Sequence, residues 1–447
     1  MFSFFFNFLS TVDQFFWSYF AFVLIMVLGG YLTIKMRFFQ IRALPSLCKT
    51  FVHFLRTRSV DEKGVHPLKV FFASVGGMIG IGNVVGIVTA VQVGGPGALF
   101  WVWIAALIGA LIKYSEIILG FKYRVANERG GYDGGPIYFL QAAFKSRLVP
   151  TIVAILLCIY GVEIYQFSVV SQSLVSNWNF HPHLVLILLL GFVIFAGVGG
   201  VKRIGKICSC VMPFFLIAYI FMGLWIICSA IDQLPAIFST VVHSAFKGHA
   251  ALGGFAGSSA LLAIQHGISR ACYSADLGIG YDSMIQSESS TSYPEKQASL
   301  AVLGVFLDNL ICTMSILIVL VSGIWTANPP IDASELIKSV LSVHFPSMKL
   351  FMPLFLLVVG YTTLIAYFCV GMKCARFLSP TCGEKIYIAY AICSFIFFSF
   401  FDQTQALLVM SLSGALLLCV NLFGIFRLRR HILPSVAPAL PSESTSN

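Results

Sequence analysis

Charge is what this chain has least of. Asp, Glu, Lys and Arg together make up 10% of its 447 residues, where a soluble globular domain carries about 25%. No polar stretch is long enough to fold apart from the apolar runs, which excludes a soluble enzyme on a membrane anchor. The GxxxxGK[ST] loop of nucleotide-driven pumps is missing. So are HExxH, GxSxG and any clustered acidic motif, so nothing points to an enzyme. A repeated filter or ring of charge, which would mark a channel, is not evident. The twelve cysteines lack paired metal-binding spacing; Cys208 and Cys210 are the closest two, and reduced thiols used as small hydrophobes fit best. A cleavable leader is not expected, because the first residues lack a basic segment and the first apolar stretch runs on to Lys35. The net charge of +10 would suit nucleic acid, but the basic residues alternate with apolar runs and form no domain of their own. No nucleic-acid partner is expected.

Apolar residues fill the space that charge leaves, at 58% of the chain. About 20 apolar residues cross a bilayer as a helix. Eleven such segments can be marked, near 16–36, 68–93, 97–121, 149–175, 183–201, 207–230, 251–284, 297–324, 349–372, 384–401 and 404–426. The sixth contains Pro213, tolerable near a helix start or as a kink. An odd number puts the termini on opposite sides. With the N-terminus outside, every one of the 28 basic residues except Lys247, Lys338 and Lys349 falls in a cytoplasmic loop or span end. Retention of Lys and Arg on the cytoplasmic side sets topology. The expected setting is a bacterial cell (inner) membrane, N-terminus periplasmic and tail 427–447 cytoplasmic. The lipid bilayer is then the main partner, and no obligate protein partner is implied. Residues 331–345 and 134–144 read as short helices lying along the outer and inner surfaces.

One stretch resists a plain helix reading. "GGMIGIGNVVG" (76–86) places five glycines and Asn83 inside an apolar span. Glycine costs a helix interior about 1 kcal/mol, and hydrocarbon leaves no water for freed backbone groups. Five spans later "QHGISRACYSADLGIG" (265–280) is also glycine-broken. Two interrupted segments in matching positions suggest a secondary transporter with an inverted repeat. Residues 68–230 and 251–426 would be the halves, with 16–36 as an addition. An unwound helix offers N–H groups to a carboxylate and carbonyls to a cation. The competing reading is close helix packing through small residues, whose spacing Gly82 and Gly86 fit. Lys113 and Glu116, three apart, suit an intrahelical pair. Glu163 and Asp308 lie inside apolar spans, where a structural polar contact and a coupling role both remain open.

The residues from "GGMIGIGN" onward also resemble a known family. "GIGN" (80–83), "GGPGA" (94–98), Lys113 with Glu116, "KYR" (122–124), "GGPIYFL" (134–140), "GVKRIGK" (200–206), "FLD" (306–308) and "GYTTLIAYFCVGMKC" (360–374) are similar to the alanine or glycine:cation symporters, also called sodium:alanine symporters. That resemblance covers most of the chain. It implies an all-α polytopic membrane protein with the leucine-transporter-like 5+5 inverted repeat of the amino acid–polyamine–organocation superfamily. It further implies a substrate site at Gly80, Ile81, Gly82 and Asn83 in the first broken helix and Gln265, His266 and Gly267 in the second. The implied cation site takes carbonyls of Gly76, Ile79 and Val359 and hydroxyls of Thr362 and Thr363. Hard oxygen ligands suit a hard cation such as Na+.

Several positions depart from the family pattern. The Thr of GTGN is Ile81, a Trp is His266, "RGVFSNEAGLG" has become "RACYSADLGIG" (270–280), the Glu before Lys-Cys is Met372, and an expected Asp aligns with Ser411. The departures gather at the implied pocket while the cation-site hydroxyls survive. The expectation is therefore a symporter that imports a small neutral amino acid (alanine or glycine, D-alanine included) with Na+ as coupling ion. The alternative is a proton-coupled carrier of another small amino acid.

Overall fold

The computed structural model describes residues 2–56, 63–247, 260–326, 333–400 and 404–432. The first part of the span expected at 251–284, residues 331–332 and the tail beyond 432 lie outside the described residues.

Turns apart, the described chain is helical except for one short hairpin and a single bridge between Val65 and Ser289. Helix α1 (Phe5–Lys35) is the long N-terminal span. After α2 (Leu44–Arg56) comes α3 (Pro67–Met78). Pro67 starts α3 at no hydrogen-bond cost, since the first N–H of a helix has no partner anyway. The His66 ring Nδ1 accepts the Leu68 N–H at 3.2 Å. Helix α4 (Gly82–Gly94) follows after a break, bent 49° from α3. Then come α5 (Ala98–Lys122), the hairpin β1 (Val125–Ala126) and β2 (Tyr132–Asp133), and α6 (Pro136–Phe144). Helices α7 (Leu148–Tyr160) and α8 (Ile164–Trp178) form one interrupted 31-residue span. The series continues with α9 (Pro182–Val198), α10 (Gly200–Ser229) and α11 (Leu234–Lys247). Pro213 lies within α10, which runs on past it. After α12 (Ala260–Ser274) and the short α13 (Tyr281–Gln286) come α14 (Pro294–Ser322), α15 (Ala333–His344), α16 (Met348–Leu378), α17 (Gly383–Phe400) and α18 (Thr404–Arg427).

Among the described residues, seven helices are long and apolar enough to cross a membrane, or eight with the bent pair α3–α4 as one span. Helix α9 is shorter at 17 residues, and α12 stops after 15 at a break. Of the seven, α5, α14 and α16 have the largest share of buried residues. Outward faces carry Phe192, Phe195, Phe214 and Phe221, each more than half exposed, as a hydrocarbon-facing surface would.

Small residues let α3 approach its neighbours. A Cβ on Gly76 would meet Cys208 Sγ at 2.7 Å and Thr362 Cβ at 3.2 Å, and one on Gly205 would meet the Lys69 carbonyl at 2.5 Å. Helix α1 is docked through Trp17. Its indole N–H donates to Ser411 Oγ at 2.9 Å, and its carbonyl accepts from Ser269 Oγ at 2.7 Å. The Ser411 position is thus used to hold α1. Within the segments expected at 331–345 and 134–144, Ala333–His344 is helical as α15 and Pro136–Phe144 as α6. Leu336, Ile337, Val340 and Leu341 of α15 are buried, and that helix packs against the turn Gly82–Gly86.

Candidate functional site

The first break is built by three residues. Ile79 takes an extended conformation (ψ 91°), which ends α3. Asn83 then caps the start of α4, its Oδ1 accepting the Gly80 N–H at 3.0 Å. The Ile81 N–H goes to Gln166 Oε1 on α8 at 3.2 Å. Both of these backbone donors, freed by the break, have thus found a buried side chain, as hydrocarbon demands. The glycines divide by role. Gly76, Gly77 and Gly80 are packing positions, where an added Cβ would strike Cys208, the Tyr281 hydroxyl and Thr363 Oγ1 respectively. Gly82 and Gly86, whose spacing suggested packing, have nothing within 4 Å of an added Cβ.

The second break lies at 275–280, not at 265–267. Helix α12 continues unbroken through Gln265, His266 and Gly267 to Ser274. Gly267 is a packing glycine: its Cβ would meet the Ala98 carbonyl at 2.5 Å and Trp101 Cβ at 2.8 Å. The chain turns where Asp276 (φ 48°), Gly278 (φ 78°) and Gly280 (φ 102°) adopt left-handed backbone. Such dihedrals favour glycine, with Asp among the few other residues that tolerate them. We expect Gly267→Leu to lower the yield of folded protein, measured by detergent size-exclusion, rather than to change the selectivity of the site. A well-folded variant with altered selectivity would return Gly267 to the cavity.

Lys113 and Glu116 hold this second break. They do not pair with each other as their spacing suggested. Lys113 Nζ donates to the Asp276 carbonyl at 2.9 Å and lies 3.6 Å from Asp282 Oδ2. Ser74 donates to Asp282 from α3. Glu116 Oε1 accepts the Ser283 N–H at 3.3 Å, in the first turn of α13, where a carboxyl is favoured. Asn421 bridges Glu116 Oε2 (3.3 Å) and the Gly278 carbonyl (2.8 Å). Asp276 itself accepts from the hydroxyls of Tyr367 and Tyr160. Beyond α13, Lys373 reaches Glu288 Oε1 at 2.7 Å and Asp133 Oδ1 at 3.3 Å, tying α16 to the hairpin.

The two breaks are stitched together around a cavity. Asn83 Nδ2 donates to Ser274 Oγ at 2.7 Å and to Asp308 on α14. Ser274 Oγ lies 3.0 Å from Asp308 Oδ2, and Ser315 Oγ donates to the Asn83 carbonyl at 2.9 Å. The cavity has about 310 Å³ of atom-free space, part of it open. Gly80, Gly82 and Asn83 line it, joined by Tyr160, Glu163, Gln166, Tyr273, Ser274, Thr363 and Tyr367. Ile81, Gln265, His266 and Gly267 do not line it. The Ile81 side chain is buried near Gly360 instead.

Next to the cavity, oxygens converge. Thr363 Oγ1 is 3.2 Å from the Gly76 carbonyl and 2.9 Å from that of Val359. Thr362 Oγ1 is 3.0 Å from the carbonyls of both Val358 and Val359. The structure thus gathers Gly76, Val359 and Thr363 from the implied cation set, with Ile79 in the break alongside, while the Thr362 hydroxyl turns to its own helix and to the Met212 sulfur. No group of three or more His, Cys, Asp or Glu suited to a metal occurs among the described residues.

Sequence reasoning missed Tyr160, Gln166 and Tyr367, and had Tyr273 and Ser274 only as part of the variable stretch 270–280. Gln166 was the readable one, an amide in the middle of an apolar span. Gly82 supplies a direct test. With open space at its Cβ, Gly82→Ala should fold and retain some uptake, whereas Gly82→Leu should insert normally but fill the cavity and abolish uptake. Wild-type uptake by Gly82→Leu would exclude this cavity as the transport site.

Comparison with known proteins agrees with this architecture. A manganese transporter mutant from Eremococcus coleocola superposes with a TM-score of 0.51 at 14% identity, over 83% of this chain and 78% of that one. The sodium/alanine symporter AgcS of Methanococcus maripaludis is 29% identical over 398 residues, 86% of each chain. A probable sodium/glutamine symporter, GlnT of Bacillus subtilis, is 30% identical over 431 residues, 94% of this chain and 87% of the relative. The model of the sodium:alanine symporter family matches residues 2–437, and the chain belongs to that family of transporters.

Proposed function

We propose that this protein is a sodium-driven importer of a small neutral amino acid, working by alternating access around the two breaks. The observation that carries this reading is the meeting of the Gly76 and Val359 carbonyls with Thr363 Oγ1 beside the cavity. An uncharged cage of carbonyl and hydroxyl oxygens suits a hard monovalent cation and leaves its charge uncancelled. Thr363 and Gly80 touch both regions, so occupancy of one bears on the shape of the other. One sodium ion moving inward gains about 2.3 kcal/mol per 100 mV. That gain, added to the concentration gradient, can accumulate cargo without ATP.

In this reading eleven spans arranged as a 5+5 inverted repeat, 68–230 and 251–426, cross the bacterial inner membrane after the added α1. The N-terminus is periplasmic and the tail cytoplasmic, as the placement of Lys and Arg supports. The cargo's carboxylate faces the start of α4 at Gly82, where helix N–H groups and dipole favour an anion. Alanine and glycine are the leading cargo. Glutamine is the second reading, because the glutamine and alanine symporters are about equally similar to this chain.

The test is uptake into proteoliposomes holding the full chain, under an imposed sodium or proton gradient. Sodium-stimulated uptake of alanine or glycine is expected. Stimulation by protons alone would overturn the sodium reading. Uptake of no amino acid under either gradient would overturn amino acid symport.

A further inference from the structure

Glu163 stands in the interruption between α7 and α8, preceding the first residue of α8. It is 4% exposed and makes no capping hydrogen bond to its own helix. It lines the cavity together with Gln166, one turn further along. No lining residue is Lys or Arg. The other acidic groups nearby are committed: Asp276 to the hydroxyls of Tyr160 and Tyr367, and Asp308 to Asn83 and Ser274. Lys113 is spent on Asp282 and the Asp276 carbonyl. Glu163 therefore brings a carboxyl to the cavity wall without a cationic side chain on that wall to meet it.

The cavity also has poles. The start of α4 at Gly82 carries the positive end of a helix dipole, and Ser274 marks the negative end of α12. Gln166 is turned toward the positive pole by its bond to the Ile81 N–H. Glu163 adds a full acidic group to a wall whose other polar contributors are amide, hydroxyl and phenol. A buried carboxyl in a nearly apolar bundle is costly unless something cationic or hydrogen-bonding meets it.

We propose that Glu163 receives the ammonium group of the cargo and is the residue that selects for it. This rests on the amino acid symport reading above and adds the recognition element for the cationic end. The ammonium could be the α-amino group or an amine on the side chain, and the measurements separate the two.

The experiment uses the full-length protein in proteoliposomes with saturating sodium. Competition against labelled alanine is measured for glycine, L-lysine and lactate, the last being alanine with a hydroxyl in place of its ammonium. In wild type, alanine should outcompete lactate strongly. Glu163→Gln keeps the shape and removes the charge. It should weaken alanine and glycine about 10- to 100-fold, the range expected for one charge-assisted hydrogen bond. It should leave lactate nearly unchanged, so the alanine-to-lactate preference collapses. If instead lysine alone weakens, the ammonium received is that of the side chain. Glu163→Asp serves as the folding control, with preference for the ammonium retained. Unchanged affinities for alanine and lysine in a folded Glu163→Gln variant would overturn the proposal while symport stands. Absence of amino acid uptake in wild type would overturn both.

Discussion

Lys113→Met is expected to remove most folded protein from the membrane, and Lys113→Met with Asp282→Asn to restore much of it. Lys113 is fully buried in the middle of α5, and its ammonium has two partners on the other side of the second break. One is the Asp282 carboxyl at 3.6 Å, itself fully buried. The other is the carbonyl of Asp276, a backbone group that no helix can satisfy because the chain is turning there. Taking away the lysine strands an acid in low dielectric and orphans a carbonyl. Breaking a buried pair on one side costs about 3–5 kcal/mol, against a total stability of about 5–15 kcal/mol for a typical domain. Taking away both charges costs far less, since two neutral groups need no counter-ion. The amide oxygen that Asp282→Asn introduces can still accept from Ser74, which in the wild type bonds to the acid. The measurement is the monodisperse fraction and thermal midpoint of detergent-solubilised protein for both variants. Wild-type yield and melting of the single variant would show that Lys113 does not secure the break. A double variant no better than the single would assign the damage to the Asp276 carbonyl rather than to the stranded charge.

The same lysine shows where sequence reading runs out. Its spacing from Glu116 is that of neighbours on one helical turn, and spacing is all that a sequence offers. Which way the two side chains lean depends on α13 and α18 packing across α5, through Ser283, Asp282 and Asn421. Local rules do not reach partners more than 150 residues away. The first break was legible because glycine is costly in a helix and "GGMIGIGNVVG" spends five of them together. Asn83 was legible as the polar residue of that stretch, though its bonds to Ser274 and Asp308 were not. The second break was legible only as a region. Gly267 attracted attention as the glycine beside the variable His266, yet it is small because Ala98 and Trp101 crowd it. Gly278 and Gly280 set the turn through their backbone dihedrals, and a glycine's letter does not say whether space or dihedral is the reason for it. Glu163 was visible as an acid in an apolar span, but its position on the cavity wall needed the interruption between α7 and α8, which apolar composition alone conceals.

Thr363→Ala is expected to raise the sodium concentration for half-maximal uptake by about 10-fold or more, while Thr362→Ala has the smaller effect. Both threonines lie on α16 and both can donate back to a carbonyl of their own helix. Back-bonding of that kind is the ordinary behaviour of a helical threonine and needs no ion to explain it. What sets Thr363 apart is its second neighbour, the Gly76 carbonyl of α3, 3.2 Å away. The single hydroxyl proton can be donated to Val359 or to Gly76; whenever it goes to Val359, the lone pairs of Thr363 Oγ1 face those of Gly76 across that gap. Two facing acceptors repel unless a proton or cation lies between or beside them. A hard cation holding oxygens at about 2.3–2.6 Å tolerates neighbours at little more than this separation. Thr362 turns toward the Met212 sulfur at 3.3 Å instead, a soft neighbour that a hard cation does not favour. Loss of one charge-assisted oxygen contact is worth about 1.5–3 kcal/mol, which sets the expected size of the shift. Because the ligand removed belongs to the ion, the affinity for the amino acid should recover at saturating sodium. Thr363→Ser, which keeps the hydroxyl, should stay close to wild type. The readout is the sodium dependence of initial uptake rates at fixed amino acid, followed by the amino acid dependence at saturating sodium. Unaltered sodium dependence in Thr363→Ala would place the coupling ion elsewhere and make proton coupling the leading reading. An amino acid affinity that stays weak at every sodium concentration would instead assign the Thr363 hydroxyl to the cargo, whose cavity it also lines.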